Sequence, residues 1–280
     1  MAKKLYDEIS NEELKALTGA IKSRYDIDFT NYETKSLKRG FARLISKNGM
    51  ETLLDLWGKV LRDREFLIGC IDDLTVNLTE LFRNPDFWVK LHDEVVEDVK
   101  SKHRTLNMWH AGCSTGEEVY SMAVVLEDKG MLHRTKTWAT DLSSTALAKA
   151  IEGRYPATLV TKYEKGLIKY LPHKSMDDMF KFEDKHMKVK DKYKKHIDFH
   201  QHNLVQDKVD RKFHIVFCRN VMIYFDEYLK MQVLKLIYDS LEDDGYLILG
   251  YYDMFSNEAK KLFKVYDAKT RIYQKIGSAS

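Results

Sequence analysis

Cysteine, proline and glycine are all scarce in this 280-residue chain, which has 3, 3 and 13 of them. Cys70, Cys113 and Cys218 lie far apart. They form no CxxC pair that could start a zinc site, and an odd number is a poor disulfide framework, so a reducing, intracellular compartment is expected. The shortage of glycine and proline excludes collagen-like and low-complexity chains. An excess of one charge is also missing: 46 basic residues face 43 acidic ones, for a formal charge of +3. Such a balance argues against a protein that coats nucleic acid by neutralising phosphates. No apolar stretch approaches the roughly 20 residues that span a bilayer. The opening segment, MAKKLYDEISNEELK, turns acidic where a signal peptide would turn apolar. The expectation is a cytoplasmic protein with no membrane insertion and no nucleic-acid partner.

Hydrophobic residues make up 44% of the chain and charged residues 32%, enough for a real core in one large domain with a smaller companion. The first 75 or so residues read as a helical domain. In NEELKALTGAIKSRY, Leu14, Leu17 and Ile21 recur at helical spacing, and Ser10 with Glu13 resembles a capping box. In YETKSLKRGFARLISKNG, Leu37, Phe41, Leu44 and Ile45 form an apolar stripe that Gly49 would stop. Lys35, Arg39, Arg43 and Lys47 follow at four-residue steps on another face. METLLDLWGKVL and DREFLIGCIDDLTVNL complete the bundle. Residues 76–90 read as a linker that contributes to the site, and 91–280 as a second domain.

From about residue 105, strands alternate with helices: TLNMWHAGCSTGEEVYSMAVVLED, TKTWATDLSSTALAKAIEG, FHIVFCRNVMIYFDEYLKMQVLKLIYDSLEDDG, then YLILGYYD. This order predicts an α/β domain with a doubly wound, mostly parallel sheet. LFKVYDAKTRIYQKI reads as a strand pair closing one edge. Between about 157 and 202 the rhythm breaks. There Phe180 and Phe182, and later Ile197 and Phe199, alternate with polar neighbours, which predicts an inserted small antiparallel β-subdomain. Its lysines are either a solvated face or a partner surface.

The loop HAGCSTGEE follows a strand and opens a helix. Gly112 and Gly116 let the backbone approach a ligand, and the helix start presents free N–H groups. Neither G-x-G-x-x-G nor the phosphate-loop pattern is present, and no lysine grips a triphosphate. Glu117 and Glu118 in the first turn either complement the helix dipole or face a cationic or hydroxyl-rich ligand. Asp141, at the tip of the next strand, either accepts ribose hydroxyls or caps the helix starting near Ser143. A ribose acceptor without a phosphate grip favours S-adenosylmethionine over NAD or ATP. Of His196, His200 and His202, the last two would share one strand face, but a third ligand is not evident and no metal is expected. Cys113 sits near a helix start, where a thiol pKa can fall; the simpler reading is a small loop residue.

Five segments together resemble the CheR family of chemotaxis receptor methyltransferases: NLTELFRNPDFW, WHAGCSTGEEVYSMA, ATDLSSTALAKAIEGRY, the NL at 203–204, and FCRNVMIYFD. The resemblance runs through nearly the whole chain in order. It implies a Rossmann-like S-adenosylmethionine-dependent fold and methyl transfer to glutamate carboxylates on chemoreceptor cytoplasmic helices, giving methyl esters in chemotaxis adaptation. It also implies roles for individual residues. Asn77, Thr79 and Arg83 would reach the methionyl end of the cofactor and the active-site mouth, with Arg83 pairing with a carboxylate of either cofactor or substrate. Gly112 would be among the cofactor-binding residues, Glu117 would contact the amino-acid portion or orient the loop around it, and Asp141 would hold the ribose. Asn203 and Leu204 would border the adenine. Asn220 and Val221 would line the pocket, and Tyr224 would stand close to the reactive methyl. A carboxylate nucleophile is ionised at neutral pH, since its reference pKa is about 4.3, so a general base is not required.

The chain departs from the family pattern at Val119, where proline is usual, and at Leu81, where an aromatic is usual. GYYDMFS replaces a GHSENFS-like segment at the active-site mouth, which leaves substrate specificity open. The insertion lacks a glycine-rich hairpin loop, so binding of a receptor pentapeptide tether is not expected. The basic stripe is either a solvated face or an electrostatic dock for acidic receptor helices. The alternatives are a methyltransferase for another protein or a small carboxylate, and a non-catalytic module binding the cofactor or its product.

Overall fold

The computed structural model describes residues 2–74, 79–253 and 257–277. The chain opens with helices α1 (Ala2–Glu8), α2 (Asn11–Tyr25), α3 (Thr34–Lys47), α4 (Leu53–Arg62) and α5 (Arg64–Leu74). The Ser10–Glu13 capping box is formed, with Ser10 Oγ accepting from the Glu13 N–H at 3.1 Å and the Glu13 carboxylate accepting from the Ser10 N–H at 2.9 Å. Leu14, Leu17 and Ile21 of α2 meet Leu37, Phe41, Leu44 and Ile45 of α3 in one buried cluster. Leu142, from the second domain, packs against that cluster and so joins the two bodies.

Helices α6 (Pro85–Lys90) and α7 (Val96–Lys102), connected by a π turn at Leu91–Val95, lead into the α/β domain. Its elements are β1 (Leu106–Ala111), α8 (Glu117–Asp128), β2 (Thr135–Asp141), α9 (Ser144–Glu152), β3 (Arg154–Pro156), α10 (Val160–Tyr170) and α11 (Met176–Met179). Then come β4 (Phe180–Glu183), β5 (His186–Val189), α12 (Asp191–Lys194), β6 (Ile197–Gln201), β7 (Phe213–Cys218), α13 (Glu227–Ser240), β8 (Leu241–Leu249), β9 (Phe263–Asp267) and β10 (Ile272–Lys275). The large sheet has the order β6-β2-β1-β7-β8-β10-β9. All neighbours through β8 are parallel, and β10 runs antiparallel to both β8 and β9. The central strand β7, FHIVFC, is buried at every position, as expected where helices cover both faces. Helix α8 is buried from Val119 through Leu126 because the sheet covers one side and the insertion the other.

The insertion forms a three-stranded antiparallel sheet of order β3-β5-β4. Its Tyr163, Leu167, Phe180, Met187 and Tyr193 share a core with α8. The sequence reading placed Ile197 and Phe199 in this small sheet; the structure moves them. They lie on β6, which pairs parallel with β2 (Ala139↔Phe199) at the edge of the large sheet. Alternation fixes which side chains face inward, and it is the same in either sheet; long-range pairing decides the rest.

The order reverses at β1. The chain fills β2 and β6 on one side, then crosses to β7 and β8 on the other. That switch opens a crevice beyond the carboxyl ends of β1, β2 and β7. No helix among the described residues is long and apolar enough to cross a membrane.

Candidate active site

A cavity of about 870 Å³ fills this crevice. One wall is the sheet edge, with Gly112, Cys113, Ser114, Glu118, Asp141, Asn203, Leu204, Asn220 and Val221. The facing wall belongs to the helical domain and its exit, with Tyr6, Tyr32, Ser36, Arg39, Arg43, Thr79 and Arg83. Tyr224 and Tyr252 line it as well.

Backbone constraints build the sheet wall. The N–H groups of Gly112 and Cys113 both reach the Thr140 carbonyl at 2.8 Å, so the turn after β1 is fastened to β2. Gly112 has φ 79°, and a Cβ there would sit 2.4 Å from Val221 Cγ2. Only glycine fits both the left-handed conformation and the close approach. Asp141 holds two loops at once: Oδ2 accepts from the Ser114 N–H at 2.7 Å and Oδ1 from the Ser143 N–H at 2.9 Å. The cap of α9 itself is Ser143, whose hydroxyl accepts from the Ala146 N–H. Asn203 folds over its own turn, accepting from the Val205 N–H at 3.0 Å. Asn220 takes φ 60°, a left-handed corner that asparagine tolerates.

The two glutamates of the loop separate sharply. Glu117, expected to contact the amino-acid portion of the ligand or to orient the loop around it, does not line the cavity. Its carboxylate accepts from the Thr115 hydroxyl at 2.6 Å and the Tyr163 hydroxyl at 3.0 Å, which ties the loop to the insertion. Burial pushes its pKa up, against the pull of those hydroxyls. Glu118 is the acid facing the cavity. It lies 3.1 Å from His110 Nδ1 and accepts from Arg219 Nη1 at 2.9 Å. Burial opposes its charge, but His110 and Arg219 outweigh that and hold its pKa below the ordinary value. Arg219 also donates to Asn84 Oδ1 at 2.9 Å and lies over the Phe87 ring, while His110 stacks on Phe217 at 4.2 Å. This network was not expected from the sequence; the RN of CRNVMIYFD and His110, one residue before the end of β1, are the signals that point to it.

The other sequence-derived residues fall as follows. Thr79, Arg83, Gly112, Asp141, Asn203, Leu204, Asn220, Val221 and Tyr224 meet at the one cavity. Asn77 lies outside the described residues. Arg39 and Arg43, half of the basic stripe, line the cavity, whereas Lys35 and Lys47 are exposed on α3 away from it. Asp86 approaches Lys169 at 3.4 Å. Cys113 is not activated: burial, then the Asp141 and Glu118 carboxylates, push its thiol well up. His200 pairs with Asp198 at 2.8 Å, and His202 packs between Trp109 and Trp138.

The cavity suits a cationic adenosine compound. Two carboxylates, Glu118 and Asp141, stand at the sheet edge. The Gly112–Val221 contact leaves a shallow backbone cradle that any side chain would fill.

Comparison with known proteins agrees. The family described as CheR methyltransferase, SAM binding domain, matches residues 77–272, and CheR methyltransferase, all-alpha domain, matches residues 12–75. A Pseudomonas putida protein named Cher3 is 32% identical, covering 85% of this chain and 87% of its own. A chemotaxis protein methyltransferase of Vibrio parahaemolyticus is 31% identical over 86% and 89%. One of Listeria innocua is 29% identical over 86% and 90%. The chain therefore belongs to the CheR family of S-adenosylmethionine-dependent methyltransferases.

Proposed function

We propose that the chain methylates glutamate side-chain carboxylates on the cytoplasmic helices of a chemoreceptor. The observation that carries this reading is the uneven distribution of charge around the cavity. Glu118 and Asp141 stand on the sheet wall, where Arg219 pairs with Glu118, while Arg39, Arg43 and Arg83 outnumber Glu80 on the wall formed by the helical domain and its exit. A cation suits the first wall and an anionic side chain arriving past α3 suits the second. In this reading Glu118 and Asp141 hold the amino-acid and ribose ends of S-adenosylmethionine, Asn203 and Leu204 border its adenine, and Val221 lies under it. The bound cofactor supplies a methyl group already activated on a sulfonium.

The protein's own residues then have three tasks. The arginines pair with the incoming carboxylate; a guanidinium fork matches its two oxygens. Tyr224 presents a half-buried aromatic ring beside the reacting centre, where the face of a ring stabilises a nearby cation by about 0.5–2 kcal/mol. The two walls together exclude water and fix the approach, and orientation of this kind contributes up to about 7–11 kcal/mol in favourable cases. Proton transfer from the nucleophile is not needed, because a glutamate is already ionised at neutral pH.

The test is transfer of a labelled methyl group to a receptor cytoplasmic fragment. Label released as methanol by mild base identifies an ester; base-stable label, or none, overturns the reading. A second reading, methylation of a different protein or a small carboxylate, is favoured by Tyr252. This residue lines the cavity yet is 74% exposed, and so alters the rim that a substrate must pass. Small acids and receptor fragments in the same assay separate the two.

A further inference from the structure

The corner that follows β7 forms much of the cofactor wall: Asn220 and Val221 line it directly, and Arg219 holds Glu118. Something must fasten that corner, because Asn220 sits at φ 60° and the turn carries no regular ladder. The fastening is Asp253. It is 0% exposed, and its Oδ2 accepts from the Asn220 N–H at 2.6 Å and from the Gly250 N–H at 2.8 Å. Gly250 is part of the same joint, since a Cβ there would stand 2.6 Å from the Asn220 nitrogen. Oδ1 makes no hydrogen bond among the described residues. No substrate or cofactor is needed to explain these contacts, and Asp253 itself does not line the cavity.

We propose that Asp253 is a positioning residue for cofactor binding, whose buried carboxylate pins the Arg219–Val221 corner to the end of β8 and so fixes the wall on which the cofactor rests. It acts through backbone N–H groups, so its effect should follow its charge. A carboxylate bonded to N–H donors is a stronger acceptor than a neutral acid. Burial pushes its pKa up to about 6, against the pull of the Asn220, Gly250 and Ile223 N–H groups and of Arg219. The charged or titratable groups facing it among the described residues are Arg219 and the Cys218 thiol, both from the end of β7, with Glu118 beyond Arg219. Cys218 is itself pushed well up by burial and stays neutral across this range.

The ionised form is competent, so cofactor affinity is full well above pH 6, is halved near it and falls further as pH drops. For a group of pKa about 6, only roughly one molecule in eleven is ionised at pH 5, so the apparent Kd rises about tenfold. The inference rests on the corner lining the cofactor cavity. The experiment is calorimetric titration of the full chain with S-adenosylhomocysteine at pH 7.5 and pH 5.0, for the wild type, Asp253→Asn and Asp253→Ala. The wild type should weaken about tenfold at the lower pH. D253N, neutral like the protonated acid and unable to titrate, should bind at least about tenfold more weakly than wild type at pH 7.5 and lose the acid limb. D253A should bind at least tenfold more weakly at both pH values; if it does not fold, the D253N profile decides alone. A flat wild-type profile, or an acid limb that survives in D253N, overturns the proposal. A wild type that fails to bind at pH 7.5 instead overturns the assignment of the cavity, and the proposal with it.

Discussion

Replacing Gly112 by alanine should damage the cofactor site by an amount that the geometry bounds. The new Cβ would stand 2.4 Å from Val221 Cγ2, where carbon atoms prefer about 3.5–4.0 Å. The turn cannot simply slide away, because the Gly112 and Cys113 N–H groups are both held by the Thr140 carbonyl. Holding alanine at φ 79° costs about 1–2 kcal/mol. Pushing Val221 aside costs a further 1–3 kcal/mol or so, as overpacking usually does. A total of about 2–5 kcal/mol is within the stability of a typical domain, so the protein should fold with a lower Tm. Val221 lines the cavity, so displacing it should disturb that wall, and the Kd for S-adenosylhomocysteine should rise at least about tenfold, equivalent to 1.4 kcal/mol. Calorimetry and thermal unfolding measure both effects. The double variant G112A/V221A removes the colliding methyl groups and should recover the overpacking share, leaving only the backbone share. If G112A binds within about twofold of wild type, or the double variant recovers nothing, the steric argument is wrong.

The neighbouring glutamates should behave oppositely. Glu117 is an acid whose folded pKa is raised, so its charge opposes folding above that pKa; E117Q should leave urea stability at pH 7 unchanged or higher. Glu118 has a depressed pKa, so its stabilisation is present above its unfolded value near 4.5 and is lost as pH falls through the lower folded value. Arg219→Ala, which leaves Glu118 buried with one partner fewer, should cost about 3–5 kcal/mol in the same denaturation assay. If Arg39 and Arg43 meet the substrate as proposed, Arg39→Glu with Arg43→Glu should lower methylation of a receptor fragment at least tenfold and leave S-adenosylhomocysteine affinity within about threefold, since they line the cavity from the helical domain; equal loss of both would point to misfolding. The β4–β5 turn is only Asp184–Lys185, so a receptor C-terminal pentapeptide should show no binding tighter than about 1 mM by calorimetry.

Much of the architecture was legible because local signals agreed. Ser10 and Glu13 mark a helix start by themselves, and an unbroken apolar run such as FHIVFC announces a strand covered on both faces. The cavity was legible residue by residue through the family resemblance, and the nine predicted residues that line it come from five separate stretches of chain. Three features were not. Glu117 and Glu118 are 100° apart on α8, and nothing local fixes how the helix is rotated against the sheet; Tyr163 and Arg219, 46 and 101 residues away, decide it. The stripe on α3 gave a basic face but not its neighbour: Arg39 and Arg43 line the cavity, and Lys35 and Lys47 do not. The strand at Ile197 was visible, yet its partner, β2, lies some 60 residues back and leaves no mark in the local pattern.

Main chain also joins the two domains directly. Tyr32 and Phe225 form an antiparallel bridge, with the Glu33 N–H donating to the Tyr224 carbonyl at 2.7 Å and the Asp226 N–H to the Asn31 carbonyl at 2.9 Å. Glu33 and Asp226 are at the same time the caps of α3 and α13. A rocking of the helical bundle is therefore not independent of the cavity floor: it would drag the tyrosine backbone and two helix origins with it. If the proposed receptor docks on α3, its pull reaches Tyr224 through peptide groups as well as through the Tyr32–Phe225 ring contact, so tightening at the surface and movement at the cavity become a single motion.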